Sequence, residues 1–458
     1  MFKLTMERVQ SFQTNIDIKE LSRTFQDALQ VLAHLELEFL WIDSLCIVQD
    51  DPDDWNRECL LMSSVYGYSD ITIAAASSTD GSQGCFYERK MPVEQLLHVN
   101  IVASYGCKRY TITHPPNPEL VQIDWLPPSA LNNRSPLFSR GWVLQERILT
   151  PRLLTFNSSY LYWQCASWSG PEWKRPGIDE SQGRHELRNL AIGKDYNWHE
   201  VVRVYSRTQL TFPSDRLVAI SGVAKRIQKV FPDQYLAGMW RKDLERLLCW
   251  SVVTPQQGTP LVYQAPSWSW VSLLPGTRAN LPQDPRGFGR LLVQIVNIEM
   301  TLTGPDPMGA VTRGVLRVRC ETLLCGMAVS GMILSGNRDN FLANFGSVLS
   351  SVRLRLDSQP NMADPFPFYL LPVLQAPGNK GGRLYIRGLV LKPTNKCKGE
   401  YERIGQFRKD DSPGENRPKI FKKTRSVDFA KLSFTKLDRE LLFESSEGEK
   451  GPHFITIV

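Results

Sequence analysis

Three short stretches hold the residue types that could do chemistry. The first is WIDSLCIVQDDPDDWNRE, residues 41–58, in which Asp50, Asp51, Asp53 and Asp54 crowd between two apolar blocks. Such a run could hold a cation, start a helix, or rim a pocket with a reactive carboxylate. A calcium loop needs oxygen ligands at alternating positions and a distant Glu, and this pattern does not supply them. Asp51-Pro52 supplies an N-cap with Pro at the first helical position, and acids in the first turn face the positive end of the helix dipole. Glu58 stands apart. On a helix starting at residue 52, Trp55, Cys59, Met62 and Tyr66 form one apolar stripe, and Glu58 falls on its shoulder between Met62 and Val65. A carboxylate so placed needs a partner or carries an altered pKa. A salt bridge in the neighbourhood of Arg57 or Arg140 and a catalytic role both fit.

The second stretch is RGWVLQER, residues 140–147. On a helix Trp142, Gln145, Glu146 and Leu149 share a face, so polar groups again sit against a large aromatic. Gly141 beside Arg140 allows a close backbone approach at a helix start, where anions are favoured. Arg140, Trp142 and Glu146 are therefore candidate substrate-binding residues, with a buried polar network as the plainer reading. The third is LTFPSDRL, where Ser214 or Asp215 reads as a helix cap. Other chemistries are excluded. There is no G-x-x-x-x-G-K-[ST] and no G-x-S-x-G, and GFGRLL (287–292) lacks the third glycine of a dinucleotide fingerprint. His185-Glu186 and His199-Glu200 open like H-E-x-x-H, but Asn189 and Arg203 stand where the second histidine belongs. No metal site is read.

Positioning these residues falls to alternating elements. Residues 20–37 carry Leu21, Phe25, Leu29, Leu32 and Leu35 at helical spacing, and FLWIDSLCIV (39–48) reads as a short buried strand. Residues 52–66 predict a second helix and DITIAAAS (70–77) another strand, which indicates α/β construction with parallel pairing. Residues 78–135 are loop-rich, with one hairpin around YTITH. SRGWVLQERIL (139–149) predicts a helix closed by Pro151, and RLLTFN and YLYWQCA predict strands. Residues 196–231 are helical again, interrupted by FPSD at 212–215. After that SWSWVSL, LLVQIVNIEMTL, GVLRVRCETLL, FYLLPVL, RLYIRGLVL and FITIV predict a β-rich part. The reading divides the chain into domains 1–240 and 241–458.

With 458 residues, 42% hydrophobic and 22% charged, the chain has the composition of an ordinary globular protein of two or three domains. No apolar run approaches the roughly 18 residues of a membrane span. MFKLTMERVQSFQTN lacks the apolar core of a secretory signal, so a cytoplasmic location is expected. The nine cysteines are scattered singly with no C-x-x-C, which reads as reduced, mostly buried thiols. The net charge of +7 is modest for this length. RPKIFKKTR (417–425) reads as a solvated loop, and no nucleic-acid partner is expected.

Several stretches, in order, resemble the fungal heterokaryon incompatibility (HET) domain over roughly residues 20–225. They are TFQDAL (24–29), LWIDSLCIVQDDPDDWNRE, MSSVYGYSDITIAAASSTDGSQGCF (62–86), PLFSRGWVLQERILTPRLLTF and LTFPSDRLVAISGVA. APSWSWVS (265–272) and YERIGQF (401–407) resemble recurrent features of the β-rich region that often follows it. The resemblance implies non-self recognition in which incompatible fusion triggers death of the fused fungal cell. Its implied partners are further copies of the chain or other incompatibility proteins. HET domains are distantly similar to TIR domains, which implies an α/β fold with a TIR-like parallel sheet and flanking helices, followed by a β-rich C-terminal domain.

In enzymatic TIR domains a strand and loop lead into a helix bearing W-x-x-E, whose Glu assists cleavage of NAD. Trp55 and Glu58 match that order here. By the resemblance Glu58 is the catalytic carboxylate, Asp43, Ser44 and Trp55 lie near the pocket, and NAD is a substrate, with no cofactor expected. Breaking the nicotinamide–ribose bond develops oxocarbenium character that a carboxylate stabilises, and an aromatic wall limits water. The family's usual opening strand has no counterpart before Leu21, so the domain reads as N-terminally shortened, through a late start or with residues 1–16 in that strand's place. A non-enzymatic interaction module in the same pathway, or an inert copy, stays open beside the enzyme.

Overall fold

The computed structural model describes residues 2–88, 135–172, 197–258, 260–282, 289–321, 323–328, 340–345, 348–359, 366–377, 384–410, 443–446 and 452–458. The expected hairpin at YTITH, the His185-Glu186 pair and the basic stretch 417–425 lie outside them. The chain divides into two compact units. One holds Met1–Glu58, Tyr68–Ser139 and Thr150–Gly183; the other holds Cys59–Gly67, Arg140–Leu149 and Arg184–Val458.

In the first unit, α1 (Val9–Thr14) follows a segment tied down by backbone bonds. The Leu4 N–H donates to the Ser44 carbonyl at 2.9 Å, and the Leu4 carbonyl accepts from Gln49 at 3.0 Å. Helix α2 (Arg23–His34) forms as its spacing predicts. Its inward positions are Asp27, Ala28 and Val31, while Leu35 just past its end is 40% exposed. Ser22 at the N-cap makes no side-chain cap. The Gly81 carbonyl serves instead, accepting from Thr24 N–H at 3.0 Å and Thr24 Oγ1 at 3.1 Å.

The strand expected over residues 39–48 does not form. Residues 37–42 join no ladder, Phe39 is 89% exposed, and Asp43–Cys46 makes a single helical turn, α3. Local bonds explain the difference. Asp43 Oδ1 accepts from Ser44 N–H at 2.7 Å, and the Ile42 carbonyl accepts from Leu45 and Cys46 N–H, each at 2.9 Å. Asp and Ser side chains offer the backbone such alternatives to a sheet.

Helix α4 (Pro52–Tyr68) and strand β1 (Thr72–Ala75) follow as read. Strands β2 (Leu153–Phe156), β3 (Leu161–Gln164) and β4 (Ser169–Pro171) complete a sheet ordered β1-β2-β3-β4. The sheet is mixed rather than parallel. Thr72 to Ala75 pair in parallel with Leu153 to Phe156, but β2–β3 and β3–β4 are antiparallel. The short link between β2 and β3, closed by Asn157 N–H on the Tyr160 carbonyl, can only return as a hairpin. Val31, Cys85 and Phe156 form the core beneath it, with Ile73, Ala75, Leu154 and Leu161 against them.

In the second unit, α5 (Gly141–Leu149) packs on α7 (Val218–Val230), and α6 (Trp198–Tyr205) precedes the short 3-10 turn Pro213–Arg216. Gly222 permits the contact, because a Cβ there would lie 2.6 Å from Gln145 Oε1 and 2.7 Å from Ser63 Cβ. The β-rich part forms, among the described residues, an 11-stranded sheet. Its main path runs Arg290–Leu291, Phe366–Pro377, Leu384–Pro393, Glu400–Asp410, His453–Ile457, Val311–Cys320, Val293–Leu302. Pro372, which has no N–H to give a ladder, sits at a register shift.

SWSWVSL was expected as a strand and is instead a turn over Trp270–Ser272. Trp268, Ser269, Trp270 and Val271 are all 0% exposed, so no two-residue alternation of faces exists. Ser269 Oγ accepts from Val271 N–H at 3.0 Å and closes the turn. The indoles are anchored on backbone: Trp198 and Trp270 both donate to the Gly238 carbonyl, at 3.0 and 2.8 Å, and Trp250 donates to the Trp268 carbonyl at 2.8 Å. Arg403 of YERIGQF reaches the Leu248 and Trp250 carbonyls and pairs with Asp357. Among the described residues no helix is long and apolar enough to cross a membrane.

Candidate functional site

The aspartates ahead of α4 each have a structural task. Asp51 caps the helix, its Oδ1 accepting from Asp53 N–H at 2.9 Å and Asp54 N–H at 3.3 Å, with Pro52 at the first helical position. Such a cap contributes about 1 kcal/mol. Asp54 is buried; its Oδ2 accepts from Val48 N–H at 2.8 Å and its Oδ1 pairs with Arg57. Asp50 Oδ1 accepts from Met6 N–H at 2.8 Å. Asp53 remains exposed in the first turn. The acidic run thus pins the loop and the N-terminal segment to the helix start.

Glu58 is free of those tasks. Its side chain is 22% exposed, and Oε1 lies 3.7 Å from Arg57 Nε, a loose pair because that guanidinium is engaged by Asp54. Asp43, on α3, reaches the same neighbourhood. The thiol of Cys46 is pushed up first by burial and then by the negative charges of Asp43 and Glu58, so both carboxylates act on one sulfur. Ser44 is buried, and its Oγ has no hydrogen-bond partner among the described residues. Trp55 lies half-buried one turn before Glu58. The first unit therefore brings Asp43, Cys46 and Glu58 together, with Ser44 and Trp55 on the same two helices.

Arg140, Trp142 and Glu146 fall in the second unit. There Gly141 N–H donates to the Gln209 carbonyl at 2.7 Å, and a Cβ at Gly141 would lie 2.5 Å from Leu210 Cδ2, so the close approach requires glycine. Arg140 is exposed and bridges to Gln209. Trp142 Nε1 donates to Asp215 Oδ2 at 3.4 Å. Burial raises the Asp215 carboxyl, and hydrogen bonds from Trp142 and Ser214 pull it part of the way back. Gln145 Oε1 accepts from Gly222 N–H at 2.7 Å, and Glu146 is half-buried.

Residues 3–146 match the family model described as Heterokaryon incompatibility protein (HET). The chain carries a HET domain. No curated protein and no solved structure matches the chain. The HET match takes in α1 to α4, β1, the acidic run and the Asp43–Glu58 neighbourhood, and it ends within α5.

Within the HET domain the sequence reading missed Asp27. It is 1% exposed, and its Oδ2 accepts from Cys85 N–H at 2.8 Å and Phe86 N–H at 3.4 Å, while Oδ1 meets Arg23 Nε at 2.9 Å. The signal was present. Asp27 lies four residues after Arg23 and four before the buried Val31, and GSQGC supplies a glycine where a carboxylate must approach backbone.

Proposed function

We propose that this HET-domain chain acts in the cytoplasm as an effector of heterokaryon incompatibility, promoting cell death by cleaving the nicotinamide–ribose bond of NAD with Glu58. The observation that carries the reading is the half-buried Glu58 carboxylate one turn after Trp55 on α4, with Asp43 on the preceding helical turn α3. The exposed Asp43 and the half-buried Glu58 supply negative charge where an oxocarbenium ion develops. Water adds to the ribose carbon as nicotinamide leaves with the bonding electrons, and a carboxylate accepts the proton the water loses. Arg57 holds Glu58 loosely at 3.7 Å, so the acid can turn toward a ribose.

A specific observation supports a second reading, a protein-interaction module in the same pathway. Phe39 lies in a stretch read as buried and is 89% exposed, a large aromatic side chain of the kind that contributes strongly to an interface once a partner covers it.

Cellular NAD and growth after induced expression in yeast separate the two, with wild type, Glu58→Ala and Phe39→Ser compared at matched protein level. NAD that falls with wild type and Phe39→Ser but not with Glu58→Ala carries the enzyme reading. Constant NAD with growth arrest lost only in Phe39→Ser carries the interaction reading.

A further inference from the structure

Outside the HET match, three arginines of the second unit converge on one carboxylate. Arg203 lies on α6, Arg207 one turn further on, and Arg278 directly before the short strand Ala279–Asn280. The Ala279 N–H donates to Ser206 Oγ at 2.9 Å, which ties that strand to the end of α6 and brings Arg278 up to Arg207. Glu200, one turn before Arg203, takes the Arg203 guanidinium in a two-pronged pair.

Arg207 and Arg278 feel the charge of Glu200, yet among the described residues neither forms an ion pair with it or with another carboxylate. The Arg278 Nε is buried and has no hydrogen-bond partner among the described residues. Burial first, then mutual repulsion, disfavours the cations of Arg207 and Arg278. Both side chains remain half-exposed, so a ligand can reach them.

Among the described residues the three guanidiniums share one carboxylate, Glu200, which pairs with Arg203 and leaves Arg207 and Arg278 without an ion pair. Helix geometry and the strand tie hold them together against that repulsion, an arrangement that an intervening anion would relieve. We propose that Arg203, Arg207 and Arg278 form a binding site for a phosphate dianion, free or as the terminal group of a small molecule. The charge matches, and forked guanidinium donors suit the several oxygens of a phosphate better than a lysine would. The site is independent of the NAD reading, since it uses none of its residues.

The test uses the full chain and inorganic phosphate, titrated by calorimetry and by melting temperature against chloride at equal ionic strength. Wild type should bind saturably and melt higher in phosphate, and Arg278→Gln and Arg207→Gln should each weaken binding about tenfold or more, the loss of one charge-assisted contact. Arg207→Lys keeps the charge and loses the fork, so it should bind more weakly than wild type while folding as wild type does. Tighter binding of glycerol 3-phosphate than of phosphate would assign the ligand to phosphomonoesters; equal binding would assign it to free phosphate. Phosphate behaving as chloride does, or the glutamine variants binding as wild type does, overturns the proposal.

Discussion

The Asp27 carboxylate accepts the Cys85 backbone N–H at 2.8 Å, so a buried acid in the middle of α2 holds the loop that follows β1. Gly84, at φ +78°, lets the two meet, because a Cβ there would lie 2.3 Å from Asp27 Oδ2. The same loop returns the contact at the helix start, where Gly81 caps Thr24. Helix and loop are thus fastened at two points, one of them charged.

Breaking the charged point should be costly. Asp27→Asn leaves Arg23 and two backbone N–H groups poorly satisfied and should destabilise by about 2–3 kcal/mol. Gly84→Ala adds left-handed strain to a clash and should cost about 1–3 kcal/mol. Urea unfolding of the full chain, followed by proteolysis of residues 77–88, measures both. An unchanged transition in Gly84→Ala would remove the clasp from the account.

Arg216 offers a contrasting case, a buried cation with no carboxylate in an ion pair with it among the described residues. It is 2% exposed, hydrogen-bonds the Val271 and Leu273 carbonyls, and lies 5.4 Å from the Trp270 ring. Burial pulls its pKa down to about 10, with Tyr205 working the other way. A lysine cannot span both carbonyls, so Arg216→Lys should destabilise the chain by about 2–4 kcal/mol, measured by calorimetric melting. A variant that melts with wild type would mean that the fork is dispensable.

Asp215 should give the second unit a pH signature. Burial holds its carboxyl above the ordinary 3.8. With a raised folded-state pKa, its stability contribution is fully present below 3.8 and is lost as pH rises through the raised value. Asp215→Asn keeps an oxygen for Trp142 Nε1 and removes that loss. The variant should therefore melt above wild type at pH 7, and the gap should close as pH falls toward 3.8. A gap that widens on acidification would reverse the sign of the argument.

Cys165 is expected to be the thiol that reacts first near neutrality. Burial opposes ionisation, but hydrogen bonds from Ser167, Trp163 and Trp168 outweigh it and bring the pKa down to about 7. The thiolate is the nucleophile, so iodoacetamide labelling at Cys165 should reach half its maximal rate near that pH, while Cys46, whose thiol is pushed up, lags. Ser167→Ala should move the Cys165 midpoint upward. Peptide mapping by mass spectrometry reads both sites, and labelling of Cys46 ahead of Cys165 would contradict the assignment.

Elements with strong local signals were legible in the sequence. The spacing of residues 20–37, the Asp51-Pro52 start and the Pro151 stop each act within a turn of the residue concerned, and α2, α4 and α5 form where they point. Residues 39–48 and SWSWVSL were misread for a shared reason. Both are apolar enough for strands, but Asp43 and Ser269 offer the backbone a local partner, and the ladder loses. Asp27 escaped notice because a lone acid at helical spacing resembles a solvated position until Gly84 and Cys85, far away in sequence, close over it. The Arg203–Arg278 approach depends on a strand tie that no local pattern contains.

The anchored indoles of the second unit make it a source of its own optical signal. Trp198, Trp240, Trp250, Trp268 and Trp270 are each at most 4% exposed, and the Gly238 carbonyl accepts from two of them. In the first unit Trp41 and Trp55 are only half-buried. Emission at short wavelength therefore comes chiefly from the second unit, and its shift to the red on denaturation times the loss of that core. Quenching by a small solute in the native state selects the half-buried indoles, among them Trp142 of the second unit, and so leaves the five buried ones as an internal report on that core without an added dye.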